Sequence, residues 1–197
     1  CYLEVSNTEF IGNKSSFASC VWSQANSGYQ MNMRMYNCLF TDNINKNYGG
    51  VQVASVFYFG SNGTSANTLI SMANNTITNN IDSLNSGSTG TIIRLYKTHN
   101  SQSNAVVEID NCILYNNSVF FYTTKNYSVS NYNFTSVALV NCISDIHNYI
   151  NTFRTNVYTH NPLFTNASTG DYTLQSTSPA IDSGKVLPGL MPTYDLV

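Results

Sequence analysis

Few residues in this sequence could do chemistry. Glu108 and Asp110 are the one close pair of carboxylates expected to point outward together. As residues i and i+2 of a strand they would stand about 7 Å apart on one face. Glycoside hydrolysis asks for two carboxyl groups flanking a cleft at roughly 5–10 Å. A pair on one strand does not face across a groove, so a solvated face is the expectation. Calcium wants six or more oxygens, and the expected neighbours Ser71, Ala73, Ala138 and Val140 supply no third carboxylate. No Ser or Cys nucleophile signature accompanies His99, His147 or His160, and no CxxC or Cys/His cluster suggests zinc. No catalytic residue, metal ligand or cofactor is therefore assigned.

Aromatic residues give a stronger hint. Trp22, Tyr58, Tyr96 and Tyr122 recur once per repeat unit, beside Arg94 and Arg154. The C–H side of a sugar ring is apolar and stacks on aromatic faces, while Arg hydrogen-bonds hydroxyls. These six residues form a candidate carbohydrate-binding stripe, framed by the loops Ser61–Asn67, Thr98–Asn104 and Lys125–Thr135. The competing reading is that aromatics suit half-buried strands anyway and that some belong to the core.

Such a stripe needs strands stacked in register, and the sequence supplies them. Val106 to Asn117 alternates inward Val107 and Ile109 with outward Glu108 and Asp110, then breaks at Asn111 and resumes with Cys112 and Leu114. The same grammar recurs around Asn7, Asn37, Asn74 and, degraded, Asn141, at intervals of 30, 37, 37 and 30 residues. Period-two alternation marks a strand with one buried face. Asn is the non-Gly residue that best tolerates a left-handed corner. Two short strands joined by a one-residue corner cannot fold back as a hairpin, but can form two sides of a coil. The expected fold is all-β, a right-handed parallel β-helix of about five to six rungs. Equivalent asparagines would stack about 4.8 Å apart and bond as a structural ladder, Asn7–Asn37–Asn74–Asn111–Asn141.

Three of the five cysteines, Cys38, Cys112 and Cys142, share one inward position. Cys38 and Cys112 would lie two rungs apart, beyond the ~7 Å reach of a disulfide. Cys112 and Cys142 are adjacent, but stacked parallel side chains seldom present the required torsion. Buried thiols acting as small hydrophobes are expected.

Charged residues make up only 9 % of the chain, with a net charge of −2. Asn, Ser and Thr must then supply the surface polarity, a composition typical of extracellular β-rich proteins. Nucleic acid is not expected as a partner, because no basic patch exists. No membrane insertion is expected, because no run of about 18 apolar residues occurs. The chain opens on Cys1 without an initiator Met. A lipidated first residue is one reading of Cys1. The favoured expectation is a piece of a longer coil, flanked by further domains of the same chain.

From Asn161 the grammar changes, to Asn161-Pro162-Leu163-Phe164, then Gly170-Asp171-Tyr172-Thr173-Leu174, then Ser178-Pro179-Ala180-Ile181-Asp182-Ser183-Gly184. This ending resembles the terminal segment of secreted bacterial right-handed β-helix proteins of the pectin-lyase-like class. It is similar to choice-of-anchor Q domain proteins. The resemblance implies residues 1–160 as β-helix rungs and 161–197 as an irregular segment closing the coil, with Asp171 and Asp182 as turn and cap residues. Enzymes of the class work on the outward face of the strand preceding the long loops, with clustered acids holding calcium and an Arg or Lys as base; the acids here are scattered. The expected function is a non-catalytic extracellular or cell-surface module, adhesive or glycan-binding, with a polysaccharide or other glycan as partner. A fragment of a polysaccharide lyase or glycoside hydrolase is the alternative. Sequons begin at Asn13, Asn62, Asn74, Asn116, Asn126, Asn133 and Asn166, and Asp82-Ser83-Leu84 matches a short O-glycosylation pattern at an expected loop.

Overall fold

A computed structural model describes residues 1–16, 18–46, 55–83, 92–97, 104–117, 121–125, 135–145 and 152–187. The first repeat contains β1 (Tyr2–Ser6), β2 (Glu9–Ile11), β3 (Lys14–Ser15) and β4 (Ala18–Asn26). The second contains β5 (Gln30–Tyr36), β6 (Leu39–Thr41), β7 (Ile44–Lys46) and β8 (Ser55–Asn62). The third contains β9 (Asn67–Ala73), β10 (Thr76–Thr78), β11 (Ile81–Ser83) and β12 (Ile93–Lys97). Then come β13 (Asn104–Asp110), β14 (Ile113–Tyr115) and β15 (Phe121–Lys125), followed by β16 (Thr135–Val140) and β17 (Ile143–Ser144), and finally β18 (Thr152–Thr155). Equivalent strands pair in parallel across repeats, giving a first sheet β1-β5-β9-β13-β16-β18 and a second β2-β6-β10-β14-β17. A third sheet is β3-β7-β11 and a fourth β4-β8-β12-β15. The molecule is thus all-β with stacked parallel sheets, an arrangement that fits a parallel β-helix.

The alternation seen in the sequence sets which side chains enter the core. Val107 and Ile109 are fully buried while Glu108 is exposed. Their register partners Ile70 and Met72 are buried too. Phe10, Phe40, Ile77, Leu114 and Ser144 align in the second sheet. Phe40 stacks on Phe10 at 4.7 Å and meets the edge of Phe57, from the fourth sheet, at 4.7 Å. One apolar cluster therefore draws on the first, second and fourth sheets.

The corners are built as expected and then doubled. Asn7, Asn37, Asn74, Asn111 and Asn141 all take φ between 50° and 54°. Each pivot N–H donates to the carbonyl just before the next pivot, as from Asn37 to Ala73 at 3.0 Å and from Asn74 to Asp110 at 3.1 Å. Side-chain amides connect Asn37 to Asn7, Asn111 to Asn74 and Asn156 to Asn141. Five residues further on lies a second left-handed corner, at Gly12, Asp42, Asn79 and Asn116. Immediately after it runs a second ladder, Asn13–Asn43–Asn80–Asn117, in which each Nδ2 donates to the next Oδ1 at 2.9 Å. The same Oδ1 atoms accept the preceding backbone N–H groups, and Asn43, Asn80 and Asn117 donate back to Phe10, Phe40 and Ile77 carbonyls.

Several expectations need correction. Complete repeats carry four strands rather than three, because β3, β7 and β11 are too short for a periodic signal. Thr152–Thr155 does not complete the fifth repeat: β18 pairs with β16 and Asn156, at φ 53°, is a sixth pivot. Asp82 and Ser83 lie on β11, paired with Asn45 and Lys46, rather than in a loop. The segment from Asn161 runs, over its described residues, along the side of the stack. Its antiparallel pair β19 (Phe164–Asn166) and β20 (Asp171–Leu174) lies alongside the second sheet, where buried Tyr172 accepts from Thr41 and Asn79 and donates to Asp42. Lys185 then clips to the Asn111 side chain through both its N–H, at 2.8 Å, and its carbonyl, at 2.6 Å. Gly184 permits that approach, since a Cβ there would stand 3.3 Å from Asn111 Cγ. Asp182 is a turn residue with φ 57°, whereas Asp171 is the first residue of β20 and accepts from the Thr173 N–H at 3.0 Å.

The inner ladder predicts a steep mutational contrast. Asn80→Ala removes an amide that serves Phe40, Thr78, Asn43 and Asn117 together, leaving several buried groups unpaired at about 1–3 kcal/mol each. Urea unfolding should show a loss of about 3 kcal/mol or more for Asn80→Ala, against under about 1 kcal/mol for exposed Asn156→Ala.

Candidate functional site

The fourth sheet carries most of the expected stripe, but its columns differ from the expected ones. Trp22, Tyr58, Arg94 and Tyr122 align as direct partners. Tyr96 falls in the next column of the same face, with Gln24, Gly60 and Thr124. For Arg94, Tyr96 and Tyr122 the structure describes the backbone only. Trp22 is 59 % exposed, whereas Tyr58 is only 4 % exposed. Their rings lie 6.3 Å apart at 38°. Gly60 gives the ring room: a Cβ there would meet Tyr58 Cε1 and Gln24 Cγ at 3.2 Å, so the Tyr58 ring occupies the space a side chain would fill. Tyr58 thus supports Trp22 instead of presenting its own face. Arg154 does not belong here. It sits on β18 in the first sheet, opposite Leu139.

The loops expected to frame this face are only partly described. Ser61 and Asn62 are strand residues, and the tight link to β9 buries Ala66 and bonds Thr68 Oγ1 to the Gly60 carbonyl at 2.8 Å. Residues 98–103 and 126–134, like His99 and His147, lie outside the described residues.

Sequence reasoning missed a polar cluster on the outer face of the first sheet. Tyr2 and Tyr36 each donate a hydroxyl to Glu4, at 2.5 and 2.8 Å, and Arg34 sits 6.0 Å from the Tyr2 ring centre. Those hydroxyls, with Arg34 nearby, hold the Glu4 carboxyl below its ordinary range. The signal was available: Glu4 and Arg34 occupy equivalent places 30 residues apart. Further along the same column stand Ser71 and Glu108. Glu108 is exposed, as a solvated face requires, but Asp110 is half-buried, and desolvation raises its carboxyl pKa against the pull of Lys185. Among the described residues, no three His, Cys, Asp or Glu side chains gather as metal ligands. His160 is exposed, with its ring 6.3 Å from Tyr158.

The buried cysteines share one structural duty. All five cysteines are free thiols. Cys38, Cys112 and Cys142 each aim Sγ at a carbonyl of the preceding repeat, Val5, Met72 and Ile109. Asn75 takes the same place in the third repeat and donates to Met35 at 2.8 Å. These thiols are small hydrophobes that also act as weak donors. Burial raises their pKa values, to about 12 for Cys142.

No family model, curated protein or solved structure matches the chain.

The raised thiols fix a pH dependence. A folded pKa above the unfolded one contributes stability that is complete below the unfolded value and is lost as pH rises through the folded value. For Cys142 and Cys20 that window runs from about 9 to about 12. The urea midpoint should fall as pH climbs through this range, and Cys142→Ser should flatten the slope. At pH 8 a thiol reagent should label exposed Cys1 at once, but Cys38, Cys112 and Cys142 only after denaturation.

Proposed function

We propose that this chain is a non-catalytic, glycan-binding module of a cell-surface or secreted protein. Its repeats wind as a right-handed parallel β-helix, and the outward face of the fourth sheet is the binding surface. One observation carries the reading: Trp22 is more than half exposed on an ordered strand, backed by Tyr58, in a column continued by Arg94 and Tyr122. A large ring held in water has no folding role that requires that exposure, and a backed, pre-oriented ring loses little entropy on stacking. A sugar lying along the sheet would span neighbouring repeats at about 4.8 Å intervals. The resemblance of the Asn161–Gly184 segment to secreted β-helix proteins supports the location and the handedness. A hydrolase would need a second carboxylate facing its first, and the carboxylates of the first sheet, Glu4, Glu108 and Asp110, lie along one continuous face.

Trp22 is the sequence's one tryptophan, so its emission reports directly on this face. Titration with the glycans selected on an array should shift or quench that emission, and Trp22→Ala should weaken binding at least tenfold, about 1.4 kcal/mol. Binding that leaves the emission and the affinity of Trp22→Ala untouched would refute the assignment. Unsaturated product released from acidic polysaccharides with calcium present would replace it with the lyase alternative.

A further inference from the structure

A second concavity lies on another side of the molecule, between the second sheet and the closing segment, with a volume of about 260 Å³. It exists because the β19–β20 hairpin folds back along the sheet and is pinned through Tyr172 at the second corner. On the sheet side stand Tyr115 and Thr78, register partners at the ends of β14 and β10, and then Asn116 at the left-handed corner. The closing segment supplies Phe164, Asn161 and Gln175.

Of the four carboxamides in the lining, Asn79 is bonded at both ends, to Asn116 and to Tyr172, and the other three are each fastened by one end. Asn116 Nδ2 donates to Asn79 Oδ1 at 2.6 Å, Asn161 Oδ1 accepts the Leu163 N–H at 2.9 Å, and Gln175 Nε2 donates to the Phe164 carbonyl at 2.9 Å. The fold thereby fixes their orientation and leaves Asn116 Oδ1, Asn161 Nδ2 and Gln175 Oε1 available. All three residues are exposed, so a ligand can reach them from solvent. Two acceptors and one donor around two aromatic rings complement hydroxyl groups, which both donate and accept. No residue of the lining carries a charge at neutral pH, and the nearby Asp145 carboxylate accepts the Asn116 N–H at 2.6 Å, so a phosphate or carboxylate ligand meets no countercharge there. The volume falls below the roughly 300–1,000 Å³ of pockets for drug-sized ligands and suits a single ring.

We propose that this cavity binds one neutral sugar unit, either free or as the terminal residue of a longer glycan. The site stands apart from the fourth-sheet face and does not depend on that reading. Each could fail alone.

Saturation-transfer NMR and calorimetry on the full chain would test it with glucose, galactose and N-acetylglucosamine, using glucuronate as the charged comparison. At least one neutral sugar should bind, glucuronate more weakly, and Trp22 emission should not move on binding. Gln175→Leu removes an exposed acceptor together with the Nε2 bond to the Phe164 carbonyl, and Ala167→Phe fills the cavity; each should weaken that sugar at least tenfold while thermal unfolding remains a cooperative transition well above the assay temperature. A matching methyl glycoside or oligosaccharide that binds as well as the free sugar marks a terminal-residue site, and preference for the reducing sugar marks a free-monosaccharide site. No binding by any neutral sugar would overturn the proposal. So would equal affinity for glucuronate, or affinity that survives both substitutions.

Discussion

Everything in this molecule depends on a carboxamide placed beside a left-handed corner. A one-residue turn with positive φ redirects the chain without the length that a loop would need, and Asn tolerates it at low cost. The same residue type then solves a second problem. Corners interrupt the backbone ladder, so donors and acceptors near them need partners inside a stack that water does not reach. An amide has both kinds of group, and at the stacking distance its donor meets its neighbour's acceptor. Asn43 shows the result: its Oδ1 takes two bonds from Asn13, and its Nδ2 gives one to Phe10 and one to Asn80. No single repeat can satisfy these groups, so each is stable only against its neighbours.

This arrangement explains why the chain manages with so few charges. Along the two asparagine ladders buried polarity is handled by neutral groups whose bonds run along the stack, so the described ladder residues bury no ion. Substitution within a column is then governed by size and donor capacity. Where Cys38, Cys112 and Cys142 alternate with Asn75, the common requirement is a compact side chain that can donate to a carbonyl of the repeat before it. The aligned residues Phe10, Phe40, Ile77, Leu114 and Ser144 differ widely in volume, so the packing of each repeat must adapt while the corners stay fixed.

The corners and the strands before them were legible in the sequence because both carry a period. Val107 and Ile109 point inward, and Asn37, Asn74 and Asn111 sit at equivalent corners, as their spacing indicates. The second ladder was visible only as an extra Asn, and its importance lies in burial that spacing alone does not reveal. Strands of two or three residues such as β3 and β11 give no alternation to read. Compression of the last interval, from Asn141 to Asn156, hid the sixth repeat and carried Arg154 onto a different sheet. On the fourth sheet, a bulge between Ala18 and Val21 shifts the register, and counting from the pivots could not foresee it. In the separate pairing of β8 with β12, Arg94 and not Tyr96 stands opposite Tyr58. The Tyr58 ring leans into space left open by Gly60, two residues on in the same strand, which spacing alone does not reveal.

The closing segment shows how a side-on contact can organise surface as well as stability. Its anchors, Tyr172 at the second corner and Lys185 at the first, grip the stack where hydroxyl, carboxylate and amide groups project, at Thr41, Asp42, Asn79 and Asn111. Between these anchors the chain crosses the second sheet and leaves Glu4, Glu108 and Trp22 exposed on the first and fourth. The β19–β20 hairpin, whose register shifts between Phe164 and Asn166, does not follow the bend of the stack at its corner. Beside Asn116 the two diverge, and the gap is lined by the groups nearest to it, ring edges and carboxamides. The concavity is thus a consequence of attaching a strap to an asparagine-cornered stack, and its uncharged lining is inherited from the residues that build the corners.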